Sequence, residues 1–283
     1  MKPPPPPVIA NPWQTLRQFT AARIALGRTG VSLPTQPQLA FQLAHARARD
    51  AVHLTLDVPQ LLQDLETAQI APADACLVLD SAAGDRLHYL QHPDKGRRLD
   101  HASRERLSAW PQPPGGGGCD IAFVVADGLS ALAIAHHAVP LLAAVTRRMA
   151  AENWVVGPLV IVRRGRVAVG DEVGELLGAR LVVLLIGERP GLSSPDSLGI
   201  YLTWMPRVGL TDESRNCISN VRPAGLSHED AAAKVFYLVS EMRRRQLSGV
   251  RLKDDSPVDT SLQGRARGNF LLEGEASSAQ STS

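Results

Sequence analysis

Apolar positions in this chain keep two different periods, and the change between them falls near residue 111. In the first part they recur at helical spacing: QLAFQLAHARARDAVH (38–53) and PQLLQDLETA (59–68) both read as helices. An earlier amphipathic stretch, WQTLRQFTAARIALG (13–27), sets Leu16, Phe19, Ile24 and Leu26 roughly at helical spacing. Asn11 is a suitable N-cap for it, with Pro12 at the first helical position and Gly27 and Gly30 as stops. In the second part the apolar residues bunch into short runs at 121–125, 159–162, 181–187 and 200–205. Such runs read as strands, and the β-branched run at 181–187 as one buried on both faces, as in a parallel sheet. Helical patterns separate them: a long one over about 129–151 with Leu132, Leu141, Leu142 and Val145 inward, a short one over 171–177, and a last one over 227–247. Strands alternating with helices predict an α/β fold, a mostly parallel sheet flanked by helices and preceded by a mainly helical region.

Proline and glycine mark the borders. Pro3 to Pro7 cannot join a helix or a sheet, so residues 1–11 are expected to form a flexible, proline-rich lead-in. PQPPGGGG (111–118) reads as a linker between a helical region (12–110) and an α/β domain (119–252). From residue 253 to 283 the chain turns polar and Ser/Gly-rich, and disorder is expected.

Composition narrows the classes. With 283 residues and a formal charge of +2, the chain lacks the basic surplus that nucleic acid or an anionic membrane would demand. Aromatic residues are only 4%, so the core must be built from Leu, Val, Ile and Ala. Cys76, Cys119 and Cys217 lie far apart with no CxxC pair, which fits a reducing compartment. No apolar run reaches the roughly 18 residues of a membrane span. The N-terminus lacks the apolar core of a signal peptide, and a cytoplasmic location is the expectation.

Three Gly-containing turns follow strand-like runs: Asp127-Gly128-Leu129-Ser130, Gly165-Arg166-Val167 and Gly187-Glu188-Arg189. Ligands of open α/β sheets bind outside the carboxyl ends of the strands, so these turns could line one crevice. Glu188-Arg189 is then either a ligand contact or a solvated surface pair of little energetic weight. Asp127 reads as a helix cap before it reads as a base. Cys217 has no histidine near it in sequence before His228 and reads as a small semi-buried group rather than a nucleophile. His136 and His137 project about 100° apart on a helix, so a structural role outranks chelation. The Arg97-Arg98 and Arg243-Arg244-Arg245 clusters read as solvated faces or subunit contacts. GxGxxG, GxxxxGK[ST], HExxH and GxSxG are all missing, which counts against a nucleotide-dependent oxidoreductase. Binding turns without an evident acid, base, nucleophile or metal cage suit a subunit that holds a cofactor while a partner reacts. A purely structural partner subunit is the other reading.

Five segments, in order, resemble the small subunit of ethanolamine ammonia-lyase: ALGRTGVSLPTQ (25–36), HPDKGRRL (92–99), ADGLSA (126–131), RRGRVAVGDEVGELLGARLVVLLIGERPGL (163–192) and RNCISNV (215–221). The resemblance runs over about residues 12–250. It implies an adenosylcobalamin-dependent lyase that converts ethanolamine to acetaldehyde and ammonia by a radical route begun at the cobalt–carbon bond. It also implies a Rossmann-like domain closing over the cobalamin against a large, TIM-barrel subunit that carries the substrate site, within a trimer of heterotetramers. The family's cobalamin contacts fall here on Val167, Glu188 and Cys217. No Asp-x-His-x-x-Gly occurs, so the cofactor is expected to keep its own lower base. Some family members carry a longer N-terminal segment that directs them to a bacterial microcompartment, and the short proline-rich lead-in here leaves that targeting open.

Overall fold

A computed structural model describes residues 8–111 and 118–256. The lead-in through Pro7, most of PQPPGGGG and the tail beyond 256 lie outside the described residues. Residues from Asp254 onward form a separate unit, of which 254–256 are described.

Among the described residues the elements run α1 (Thr35–His53), α2 (Val58–Thr67), β1 (Cys76–Asp80), α3 (Arg86–Gln91), α4 (His101–Ser108), β2 (Ile121–Ala126) and α5 (Ala131–Met149). They continue with β3 (Leu159–Arg163), α6 (Val169–Leu176), β4 (Leu181–Gly187), β5 (Leu198–Trp204), β6 (Arg215–Val221) and α7 (His228–Arg245). Short polar side chains set several starts: Asp57, Asp85, Asp100, Ser130 and Ser227 each accept an N–H from the first turn of the helix they precede. Asn11 does the same for Trp13, but residues Pro12–Gln18 wind as a 3-10 helix, and the chain after them carries Ala25, Gly27 and Gly30 at positive φ. The amphipathic pattern at 13–27 therefore makes a short 3-10 helix and a loop rather than a full α-helix.

The six strands lie in the order β1-β3-β2-β4-β5-β6. β1, β3, β2 and β4 are mutually parallel, while β5 and β6 are antiparallel to their neighbours. The change has a simple cause. Parallel pairing needs a crossover of a dozen or more residues, and the connections at 188–197 and 205–214 are too short to provide it. β1 comes from the region before PQPPGGGG and pairs with β3 from Cys76 opposite Leu159 to Asp80 opposite Arg163. That region is thus not only helical, and it completes the sheet from its first edge.

Side-chain alternation sends Ile121, Phe123, Val125, Leu181, Val183, Leu185, Ile200 and Leu202 to one face, beneath α2, α5 and α7. The other face sets Leu77, Leu79, Ala122, Val124, Val160, Val162, Val182 and Leu184 beneath α4 and α6. Burying each Val or Leu contributes about 1.5–3 kcal/mol, so β4, buried along its whole length, anchors the sheet. Cover on the second face is uneven. α6 packs on β2 and β4, but on the outer strands Tyr201 is only half-buried and Cys217 and Ser219 are exposed.

Candidate functional site

The parallel strands end on one edge, and the three glycine turns meet there. Leu129 N–H donates to Gly187 O at 2.9 Å, and Gly165 N–H to Asp127 Oδ1 at 3.3 Å. Gly128 sits at φ +57, and a Cβ on it would lie 2.3 Å from Gly187 O, so this crossing requires glycine. The cap of α5 is Ser130, whose Oγ accepts from Ala133 N–H and donates to Pro195 O. Asp127 is not that cap. It is buried behind the turns, and desolvation raises its pKa from 3.8 to about 6 against the opposing pull of Arg86 and the Arg164 and Gly165 amides.

Segments far away in sequence brace these turns. Arg86 donates to Gly128 O at 2.7 Å and stacks on Tyr89, whose ring also meets the Arg166 guanidinium at 4.3 Å from the centroid. Tyr89 Oη donates to Gly165 O, and burial pushes its phenol up to about 12. Arg166 N–H donates to Gly96 O at 2.6 Å, which places HPDKGRR directly under the Gly165-Arg166-Val167 turn. Arg98 is not simply a solvated charge: it pairs at 3.3 Å with Glu172, a buried carboxylate that also accepts from Leu99 N–H and Arg104. Arg23 reaches from the first segment to Leu192 O at 3.2 Å, beside the loop that follows Glu188.

Glu188 begins that loop. Its N–H donates to Ser197 O at 2.9 Å, and its carboxylate accepts from Ser197 Oγ and Ser219 Oγ, each at 2.5 Å, and from Asn220 N–H at 3.3 Å. The side chain is half-buried over Gly199, where a Cβ would approach Glu188 Oε1 to 3.0 Å. Arg189 is exposed and is not among these partners. Cys217 stands on the same face, paired across the strands with Tyr201. Although Cys217 is exposed, desolvation of its thiol pushes the pKa up and the charge of Glu188 pushes it further. The thiol is therefore neutral at ordinary pH, a poor nucleophile. Tyr201 is likewise raised, by burial first and by Cys217 and Glu188 after it. Val167 lies half-buried at the neighbouring turn, packed against the core cluster of this same face.

Val167, Glu188 and Cys217 thus share one face of the sheet, the first two at its carboxyl end and Cys217 at mid-strand opposite Tyr201, within reach of the Glu188 charge. Ser197 and Tyr201, which hold or flank them, carry no motif of their own, while Ser219 lies within RNCISNV. Hydroxyl residues at the ends of the last two strands were the available signal. The model of the family "Ethanolamine ammonia-lyase light chain" matches residues 10–253. The chain belongs to that family. It is 59% identical to the ethanolamine ammonia-lyase small subunit of Ralstonia nicotianae, over 95% of this chain and 97% of the relative. The small subunits of Azotobacter vinelandii (59%) and Pseudomonas putida (57%) match over 94% of this chain and 97% of their own lengths. The light-chain match spans all the sheet strands, β1 included, and all the turns described above. No helix among the described residues is long and apolar enough to cross a membrane.

Proposed function

We propose that this chain is the small subunit of an adenosylcobalamin-dependent ethanolamine ammonia-lyase, converting ethanolamine to acetaldehyde and ammonia by a radical mechanism. In this reading it binds the cobalamin through Val167, Glu188 and Cys217 at an interface with a large, TIM-barrel subunit, in a trimer of heterotetramers located in the cytoplasm or in a microcompartment. The observation that carries the reading is the pre-set carboxylate of Glu188 on an open part of the sheet face.

The residues fit such a ligand. A corrin ring bears many amide side chains, whose N–H groups need acceptors, and Glu188 Oε1 keeps one lone pair beyond those used by Ser197, Ser219 and Asn220. Because those three partners already fix the carboxylate, little side-chain entropy is lost on binding. Cys217, as a neutral thiol, presents a small polarizable surface rather than a charge. Val167 adds an apolar contact from the next turn. When bound, adenosylcobalamin supplies the cleavable cobalt–carbon bond from which hydrogen abstraction begins. This chain's part is to seat, orient and help enclose it; the chemistry on ethanolamine belongs to the large subunit.

The test is acetaldehyde formation from ethanolamine and adenosylcobalamin by this chain co-expressed with the large subunit, against each chain alone. Activity of the pair only is expected. A second readout separates binding from assembly. Glu188→Ala should weaken cobalamin binding, followed by visible absorption, at least tenfold while the complex elutes unchanged. Unchanged cobalamin affinity would favour a purely structural subunit, and a stable complex without activity would overturn the substrate or the cofactor.

A further inference from the structure

Helix α5 carries two adjacent histidines outside the face just described. Neighbours on a helix project about 100° apart, which by itself disfavours shared chelation. A third element changes this. Asp196, in the loop before β5, sets Oδ2 3.3 Å from His137 Nε2 and 3.8 Å from His136 Nδ1. The two rings converge through different nitrogens, and the three ligand atoms lie within 4.8 Å of one another. A tetrahedral ion with bonds of about 2.0–2.1 Å holds its ligand atoms about 3.3 Å apart. His137 and Asp196 already meet that spacing, and His136, being exposed, has room to close the remaining gap.

The surroundings match a coordination shell. His137 Nδ1 lies 3.1 Å from Nε2 of His228, the first residue of α7, and Nδ1–H donated to that nitrogen would leave Nε2 free to ligate once an ion displaces its contact with Asp196. His137 is buried and Asp196 half-buried, while exposed His136 leaves one side open to water as a fourth ligand.

We propose that His136, His137 and Asp196 bind one divalent ion of the zinc type, with His228 orienting His137. Two imidazoles and a carboxylate without sulfur suit Zn²⁺ and its probe Co²⁺ better than a hard ion such as Mg²⁺. The bound ion ties α5 to the 188–197 loop, whose Ser197 holds Glu188, and so stiffens that loop.

The full chain, stripped of metal by a chelator and free of cobalamin, is titrated with Zn²⁺ by calorimetry and with Co²⁺ by visible absorption. One Zn²⁺ per chain and the intense bands of tetrahedral Co²⁺ are expected. His136→Ala and Asp196→Asn should each weaken Zn²⁺ binding at least tenfold with the circular dichroism spectrum unchanged, while Cys217→Ser should leave it intact. Absence of stoichiometric binding would overturn the site. So would wild-type affinity in both variants, or loss of binding in Cys217→Ser. Asp196, His137 and His228 would then be a hydrogen-bonded chain only. None of these outcomes depends on whether the chain binds cobalamin.

Discussion

Asp127 shows how one buried group converts into a measurable property. Its pKa is about 6 in the folded chain and near 3.8 when unfolded. A raised carboxylate binds its proton more tightly in the folded state, so stability is fully present below about pH 4 and falls as pH rises through 6. The shift corresponds to about 3 kcal/mol, an order-of-magnitude figure. Asp127→Asn keeps an oxygen for Gly165 N–H and removes the titration. Urea unfolding at pH 4.5 and 7.5 should show the wild type losing stability across this interval relative to the variant. Parallel curves for the two proteins would place the cost elsewhere.

At the scale of elements, α6 is bolted to the antiparallel edge by a buried ion pair. Asp171 on α6 accepts from Arg215 at the start of β6, both side chains being 3% exposed, and Arg215 also donates to Leu210 O at 3.0 Å and to Asp212. Desolvation raises Asp171, and Arg215 is what keeps its charge tolerable. Arg215→Met removes the cation and strands the carboxylate. It should cost about 3–5 kcal/mol in chemical denaturation. The double variant Asp171→Leu, Arg215→Met should recover more than half of that loss, because no lone charge remains. A double variant as unstable as the single one would show that Arg215 acts chiefly through Leu210 and Asp212.

At the scale of the whole molecule, exposed apolar surface is concentrated near the N-terminus. Trp13, Phe19, Val31, Leu33, Leu39, Phe41 and Leu43 are all exposed, Trp13 at 60%. Scattered exposed apolar residues are ordinary, but this many within some thirty positions exceed what isolated surface residues require. If the chain is a subunit as proposed, assembly with the large subunit should cover part of this surface. Comparing wild type with Trp13→Phe isolates the emission of Trp13, which should shift to the blue on complex formation. Emission unchanged in a complex that forms normally would leave this surface outside the interface.

The sequence by itself determined the strands that are buried on both faces, because continuous apolar runs such as 181–187 have no other stable home; helix starts were less legible, since Asp127 reads as a cap where Ser130 caps α5, and Asn11 starts only a 3-10 helix. The family and the segments that contain Val167, Glu188 and Cys217 were legible as contiguous residues read in order, but that the Cys217 segment forms strand β6 was not. Only the tertiary structure decided what depends on contacts between distant segments. β1 hid among helical patterns, since its short run becomes a strand only when β3 lies beside it. β5 and β6 reverse direction because their connections are too short, a fact of chain length and sheet geometry rather than of residue type. Tyr89 under Arg166, Ser219 on Glu188, and Asp196 closing on His136 and His137 join residues dozens of positions apart. No local pattern encodes such pairs; they exist because the packed sheet fixes which loops share an edge.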